Sequence, residues 1–376
     1  LRPSRAYSAS VRVVLSANTA WNLAHFRGPV IERLRSVGWE VHCVAPPDES
    51  VAALQAMGCV FHPLQMPSHG LNPLDDLRLL YRLRSLLRSI GPRVYLSYTI
   101  KPNIYGALAC RSLGVPSIPN VSGLGTAFLA GGWLGQIVRT LYAYSFRSCA
   151  RVCFQNAEDE TLFLQHRLVQ SHQVLRLAGS GIDLSHFQPA PMPEGKPIRF
   201  LFIGRLLADK GLTEFALAAQ IVRQVHPEVQ FDVLGGEGGG NPSAVPFNTL
   251  QAWERSGLLN LLGTTKDVRP FIARAHCVVL PSYREGAPRA LIEAAAMARP
   301  LIATDVPGCR DVVLEGENGF LCQVRSADSL ASALLRLISQ DPLDLERMGR
   351  ASRRLAQERF DVEAVVDRVM KAVQNA

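Results

Sequence analysis

Several landmark motifs are missing from the 376-residue sequence. It has no GxxxxGK[ST] loop, no HExxH pair and no GxSxG elbow, which removes P-loop phosphate chemistry, zinc proteolysis and α/β-hydrolase catalysis as readings. No Asp-x-Asp occurs, so the paired carboxylates that would seat a divalent cation on a diphosphate are lacking. His25, His42, His62, His69, His166, His172, His186, His226 and His276 show no metal-ligand spacing, and no metal site is expected. The eight Cys form no C-x-x-C pair; Cys149 and Cys153 alone are close, about one helical turn apart. Buried reduced thiols in a cytosolic protein are the expectation. The first ten residues, LRPSRAYSAS, lack the apolar core of a secretion signal and read as a loose terminus. The longest run without charge, 112–138, contains Pro116, Pro119 and several Gly, which argue against one helix crossing a bilayer.

What is present is an ordinary globular composition, 48% apolar, with 29 Gly and 24 Pro scattered along the chain, enough for two or three domains. The net charge of +8 is unevenly placed: +9 over residues 1–180 and −1 over 181–376. An anionic partner for the first half is implied, with a basic face that merely aids solubility as the alternative. No aromatic-interleaved basic stripe marks a nucleic-acid surface. The stretch GLGTAFLAGGWLGQIV (123–138) sets Phe128, Leu129 and Trp133 on a glycine-rich frame. It reads either as a membrane-interfacial contact or as a loop and helix start packed into the core.

Short β-branched runs alternate with helix-period segments. VRVVLS (11–16), VHCVA (41–45), RVYLSY (93–98), SIPNV (117–121) and RVCFQ (151–155) read as buried parallel strands, with helices over 26–38, 74–91 and 103–114. The pattern lapses into Gly, Pro and polar residues at 179–197, the linker candidate. A second series follows: 198–204, 229–235, 258–263, 276–282 and 300–305. Two doubly wound α/β domains of Rossmann type are expected, 1–185 and 186–376, the last helix (362–376) packing back on the first. Ligands in such sheets bind beyond the carboxyl ends of the strands.

Two segments carry chemistry. Gly204-Arg205 and Lys210-Gly211 follow the first strand of the second domain and put two cations beside helix-terminal N–H groups, a diphosphate site in outline. In Ser282-Tyr283-Arg284-Glu285-Gly286-Ala287-Pro288-Arg289 and Leu291-Ile292-Glu293, Pro288 suits a helix start, and Glu293 is placed to accept from a ribose diol. Helix-start N–H groups there are open to a phosphate or sugar oxygen. The candidate ligand contacts in these two segments are Gly204, Arg205, Lys210, Glu285, Gly286, Ala287, Pro288, Arg289, Leu291 and Glu293. The glycine run 235–240 has the wrong spacing for a dinucleotide fingerprint, so no NAD or other cofactor is expected.

GRLLADKG (204–211), the segment 262–313 and ENGFL (317–321) resemble the family 4 glycosyltransferases of two-domain GT-B architecture. The resemblance implies a UDP-sugar donor, with Arg205 and Lys210 on the diphosphate, Glu293 on the ribose, and Glu285 with Gly286 and Ala287 near the transferred sugar. Catalysis would then rest on Arg205, Lys210 and Glu285. NTAWNLAHFRG (18–28), YTIKPNIYGALA (98–109), NVSGLGTAF (120–128), FQNAEDE (154–160), GSGIDLSHF (179–187) and GNPSAV (240–245) look like the subgroup extending polyprenyl-diphosphate-linked glycans. That implies a peripheral enzyme at the inner face of the cytoplasmic membrane, whose basic first domain meets a diphosphate acceptor; Arg27, Lys101 and Asn103 are the acceptor candidates. Ser16-Ala17-Asn18-Thr19 stands where many members carry a Gly-Gly turn, and Ser122-Gly123 where many carry a His, so that His role is not transferred. The rivals are a nucleotide-sugar epimerase on the same architecture and a non-catalytic basic membrane-binding protein.

Overall fold

The computed structural model describes residues 10–66, 72–124, 128, 132–195 and 197–376. The chain divides into two compact units, one of residues 1–180 with 363–376 and one of residues 181–362.

The first unit runs β1 (Arg12–Ser16), α1 (Ala20–Ser36), β2 (Glu40–Ala45), α2 (Val51–Ala56), β3 (Val60–Pro63), α3 (Pro73–Ile90), β4 (Val94–Ser97), α4 (Ala107–Leu113), β5 (Ser117–Val121), α5 (Gly132–Phe146), β6 (Val152–Phe154), α6 (Ala157–Gln165) and β7 (Val174–Arg176). Among the described residues its strands form one parallel sheet in the order β3-β2-β1-β4-β5-β6-β7. The chain therefore reverses its winding between β1 and β4, the switch point of such a sheet. Central strands are apolar because both faces are covered. On one face Leu79, Leu83 and Leu87 of α3 pack with Val14, Val44 and Tyr95. On the other, Phe128, Tyr142, Phe146, Phe154 and Phe163 cluster, with Phe128 stacked on Phe163 at 5.1 Å.

The helices start where capping chemistry allows. Thr19 Oγ1 accepts from Asn22 N at 3.0 Å, which starts α1 six residues earlier than its amphipathic pattern suggests, with Pro29 inside it. Asn72 caps α3 ahead of Pro73 at its first position, and Gly91 closes it in the left-handed region. Residues 102–106 form a π-helical turn before α4, so the expected helix over 103–114 is split in two.

The second unit runs β8 (Arg199–Ile203), α7 (Leu212–Val225), β9 (Gln230–Leu234), α8 (Phe247–Arg255), β10 (Asn260–Leu261), α9 (Arg269–Arg274), β11 (Cys277–Leu280), α10 (Arg289–Ala296), β12 (Leu301–Thr304), β13 (Gly319–Cys322), α11 (Ala327–Ile338) and α12 (Pro342–Arg359). Its sheet, in the order β10-β9-β8-β11-β12-β13, is parallel and switches between β8 and β11. The last helix, α13 (Val362–Gln374), belongs almost wholly to the first unit. There Arg33 of α1 pairs with Asp367 at 2.7 Å and with Glu363.

Three strands go beyond the sequence reading: β3, β7 and β13, all at or next to sheet edges. The 258–263 run shrinks to a two-residue strand. Cys153 lies on β6, so the apparent helical spacing from Cys149 is a turn followed by a strand. All eight Cys are buried and free. Phe128 belongs to the core, which removes it from an interfacial contact; the Leu129 and Trp133 side chains lie outside the described residues.

Among the described residues Arg299 is the largest fully buried side chain. Its guanidinium donates to Ile272 O (3.0 Å) and Ala273 O (2.8 Å) at the end of α9, to Ala298 O (3.2 Å) beyond α10, and to Ala190 O (2.9 Å) and Pro191 O (2.7 Å). Carbonyls at helix ends lack intrahelical partners, and a cation there satisfies several at once. Burial pushes its pKa down to about 10, so it stays charged at neutral pH. Arg299→Ala is expected to orphan these carbonyls and cost about 3 kcal/mol, read as a lowered midpoint in urea unfolding of the full chain.

Candidate functional site

The turn after β8 carries the first pair of expected residues. Gly204 ends the strand against Gly235, where a Cβ would lie 1.7 Å from the Gly204 carbonyl oxygen. The loop 236–245 then holds the turn: Leu206 N donates to Gly236 O (3.0 Å), Val245 N to Leu206 O (3.0 Å) and Ala208 N to Ser243 O (2.7 Å). Asp209 N adds a bond to Ser243 Oγ at 2.9 Å. The glycine run is thus a clamp, and GNPSAV supplies its far side. Arg205 stands exposed at the head of this turn, and among the described residues its guanidinium has no carboxylate partner.

Lys210 follows on a 3-10 turn, Ala208–Lys210, and Gly211 (φ 74°) redirects the chain into α7 at Leu212. Gly211 is required twice: its φ is left-handed, and a Cβ would lie 2.0 Å from the Pro281 carbonyl oxygen. That approach brings the loop beyond β11 against the turn beyond β8, sealed by Tyr283 N donating to Asp209 O at 2.9 Å. Lys210 Nζ consequently meets Glu285 Oε1 at 2.5 Å, and Ser282 Oγ donates to the same oxygen at 2.6 Å. Lys210 and Glu285, 75 positions apart, form one partly buried pair.

Beyond it Gly286 is buried, its carbonyl and that of Glu285 backed by Gly308, whose Cβ would lie 2.5 Å from Gly286 O. Ala287 and the cap residue Pro288 lead into α10, where Leu291 N and Ile292 N donate to Pro288 O at 3.0 and 3.1 Å. Arg289 Nε pairs with Glu293 Oε1 at 2.7 Å across one turn. Burial raises the Glu293 pKa, with Arg289 and His186 opposing. Leu291 is fully buried in the core and has no surface for a nucleotide.

The sequence reading gave no role to four contributors. Ser282 fixes Glu285, and His186 sits near enough to Glu293 to bias its charge. Tyr283 Oη donates to Glu214 Oε1 at 2.8 Å, and the Tyr283 pKa is pushed up to about 12 by burial and that carboxylate. Ser282 and Tyr283 adjoin Glu285 in the chain; Glu214, inside α7, carries no local signal.

In the first unit the acceptor candidates are taken up internally. Arg27 is buried with its guanidinium 4.0 Å from the Tyr98 ring centroid. Lys101 Nζ pairs with Asp76 Oδ1 at 2.9 Å, both largely buried. Asn103 Nδ2 donates to Asn120 O at 2.8 Å. Among the described residues no group of three His, Cys, Asp or Glu is placed to hold a metal ion, and no helix is long and apolar enough to cross a membrane.

Glu293 gives a pH dependence. Its raised pKa means the folded chain holds this proton more tightly than the unfolded chain, so its contribution favours folding below the usual 4.5 and is lost as pH rises through the folded value. Glu293→Gln is expected to gain stability relative to the parent as pH is raised from about 5 to 8, checked by paired thermal melts.

Comparison with known proteins agrees in both halves. Residues 12–156 match the family described as glycosyl transferase 4-like, and residues 197–340 the glycosyl transferases group 1. The N,N'-diacetylbacillosaminyl-diphospho-undecaprenol alpha-1,3-N-acetylgalactosaminyltransferase of Campylobacter jejuni subsp. jejuni serotype O:2 is 25% identical over 378 residues, covering 96% of this chain and 98% of its own. The UDP-Gal:alpha-D-GlcNAc-diphosphoundecaprenol alpha-1,3-galactosyltransferase of Escherichia coli is 24% identical, covering 79% of each chain. Among solved structures, Anabaena HepE in complex with UDP and glucose superposes with a TM-score of 0.81 over 97% of this chain and 100% of its own, at 17% identity.

Proposed function

This chain is a glycosyltransferase of two-domain GT-B architecture, and from that premise we propose that it moves a hexose or N-acetylhexosamine from a UDP-sugar to a saccharide on a polyprenyl diphosphate, with retention and without a metal. The observation that carries this is Arg205, an exposed guanidinium with no carboxylate partner among the described residues, at the switch point of the second sheet beside a Lys210 already oriented by Glu285. Leaving-group chemistry is what such a pair serves. As the glycosidic bond breaks, the UDP diphosphate gains negative charge, and cations fixed beforehand bind it most tightly in the transition state. Glu285 keeps Lys210 aimed and presents its own carboxylate beside the transferred sugar. Glu293 accepts from the ribose diol. The named relatives act on undecaprenyl-diphosphate-linked sugars, which supports the acceptor class.

Work at the inner face of the cytoplasmic membrane belongs to the same reading. Leu74, Leu77 and Tyr81 on α3 are 63%, 61% and 72% exposed. Their spacing puts them on one stripe, away from the buried Leu79, Leu83 and Leu87. Exposed Arg78, Arg82 and Arg88 flank them, an apolar face with basic margins that fits an anionic bilayer.

Incubation with a panel of UDP-sugars and short polyprenyl-diphosphate saccharides, read by product mass, is expected to give one hexose or N-acetylhexosamine addition that persists in EDTA. Release of an altered free sugar, or activity that EDTA abolishes and Mg²⁺ restores, would refute the reading. Arg205→Ala and Lys210→Ala should each lower kcat by about 10²–10³-fold, and a change under about threefold would remove the leaving-group role. Leu77→Asp with Arg82→Glu is expected to abolish sedimentation with phosphatidylglycerol vesicles at low salt while the melt is kept; unchanged sedimentation would clear α3 of the contact.

A further inference from the structure

We propose that Trp21, backed by His25, is a stacking platform for a sugar ring of the acceptor at the carboxyl edge of the first unit's sheet. This rests on the reading that the first unit receives a saccharide acceptor. Of the residues that sequence alone offered for that task, Arg27 is buried over the Tyr98 ring, Lys101 pairs with Asp76, and Asn103 is buried with its Nδ2 donating to Asn120 O. What the same edge presents to solvent is different in kind. Trp21, in the first turn of α1 just beyond β1, is 44% exposed, and Ile100, just beyond β4, is 37% exposed. β1 and β4 are the strands between which the winding reverses, where ligands of such sheets bind.

Trp21 is also held rigidly for a surface residue. Its backbone N–H donates to Asp48 Oδ2 at 2.9 Å, tying the start of α1 to the loop after β2. His25 stacks on the indole at 4.6 Å with 26° between planes, anchored by its Nδ1 at 3.0 Å from Trp21 O. Phe26 stands edge-on at 5.1 Å. An indole fixed by two rings has little side-chain freedom left to lose on binding, and its uncovered surface is apolar area held against water. Pyranose rings offer a matching partner: their axial C–H groups form an apolar face, while their hydroxyls stay free for water or polar neighbours. The geometry therefore suits a neutral hexose or N-acetylhexosamine ring, whereas the lipid diphosphate needs cations.

The test compares the chain with Trp21→Phe and Trp21→Ala variants. Since the sequence has four Trp, the signal is the fluorescence difference between the parent and Trp21→Phe. Titration with free N-acetylhexosamine oligosaccharides and with short prenyl-diphosphate-linked ones is expected to give a saturable Trp21-dependent change. In turnover, Trp21→Ala should raise acceptor KM about tenfold with donor KM unchanged, and Trp21→Phe should recover most of the loss. No Trp21-dependent change with any saccharide, or an unaltered acceptor KM in the Ala variant, overturns the platform even if transfer proceeds. A Trp21-dependent change with UDP alone also overturns it, by assigning the ring to a nucleobase. A saccharide-dependent change without transfer to any prenyl-diphosphate acceptor leaves the platform standing and removes the lipid-diphosphate reading instead.

Discussion

The contact between Gly211 and the Pro281 carbonyl is the constraint on which the second unit's site depends. Two loops leave neighbouring parallel strands, β8 and β11, and only a residue without a Cβ lets their main chains close to this distance. Once they close, Tyr283 N reaches Asp209 O and Lys210 reaches Glu285. A partly buried ion pair of this kind adds little to stability, because desolvation offsets most of the attraction. Its value lies in orientation: both charges are set in advance, so under the function proposed above no reorganisation is needed when charge develops on a leaving group.

The segments that matter here were legible in the sequence for a physical reason. In parallel α/β sheets chemistry collects in short contiguous loops after strands, and central strands, covered on both faces, read as unbroken apolar runs. Where those conditions fail, the reading failed too. β3 and β7 are half-exposed edge strands of four and three residues with no continuous apolar run, and β13 is a four-residue edge strand, too short to show a period. The helix expected over 26–38 begins instead at Ala20, because Thr19 supplies the cap, and Pro29 lies inside it.

Arg27, Lys101 and Asn103 mark the other limit. A polar side chain looks the same in sequence whether it faces solvent or closes an internal contact, and what decides is a partner far along the chain. Asp76 takes Lys101 from 25 positions away, and Asn120 takes Asn103 from 17. Arg205 is exposed, and among the described residues it has no such partner. The net positive charge of the first unit is then displayed by other residues, among them the arginines along α3, whose two faces are both partly apolar but only one of which is covered. A helix with a second, bare apolar stripe bordered by arginines has no explanation within its own fold.

Glu293 shows how stability and binding pull against each other at one atom. It lies between Ile292 and Ala294 on a helix that is otherwise apolar, and an alanine there would remove the cost of taking a carboxylate out of water. Arg289, one turn away, offsets part of that cost but is itself about one-third exposed and shares its field with solvent. The remainder leaves a buried acceptor, to which a donated hydrogen bond is stronger than in water. The hydroxyls of a ribose would supply that bond under the function proposed above, so the energy withheld from folding returns as affinity for the donor. A residue that weakens the fold at neutral pH is consistent in this way with a site organised around its ligand rather than around its own stability.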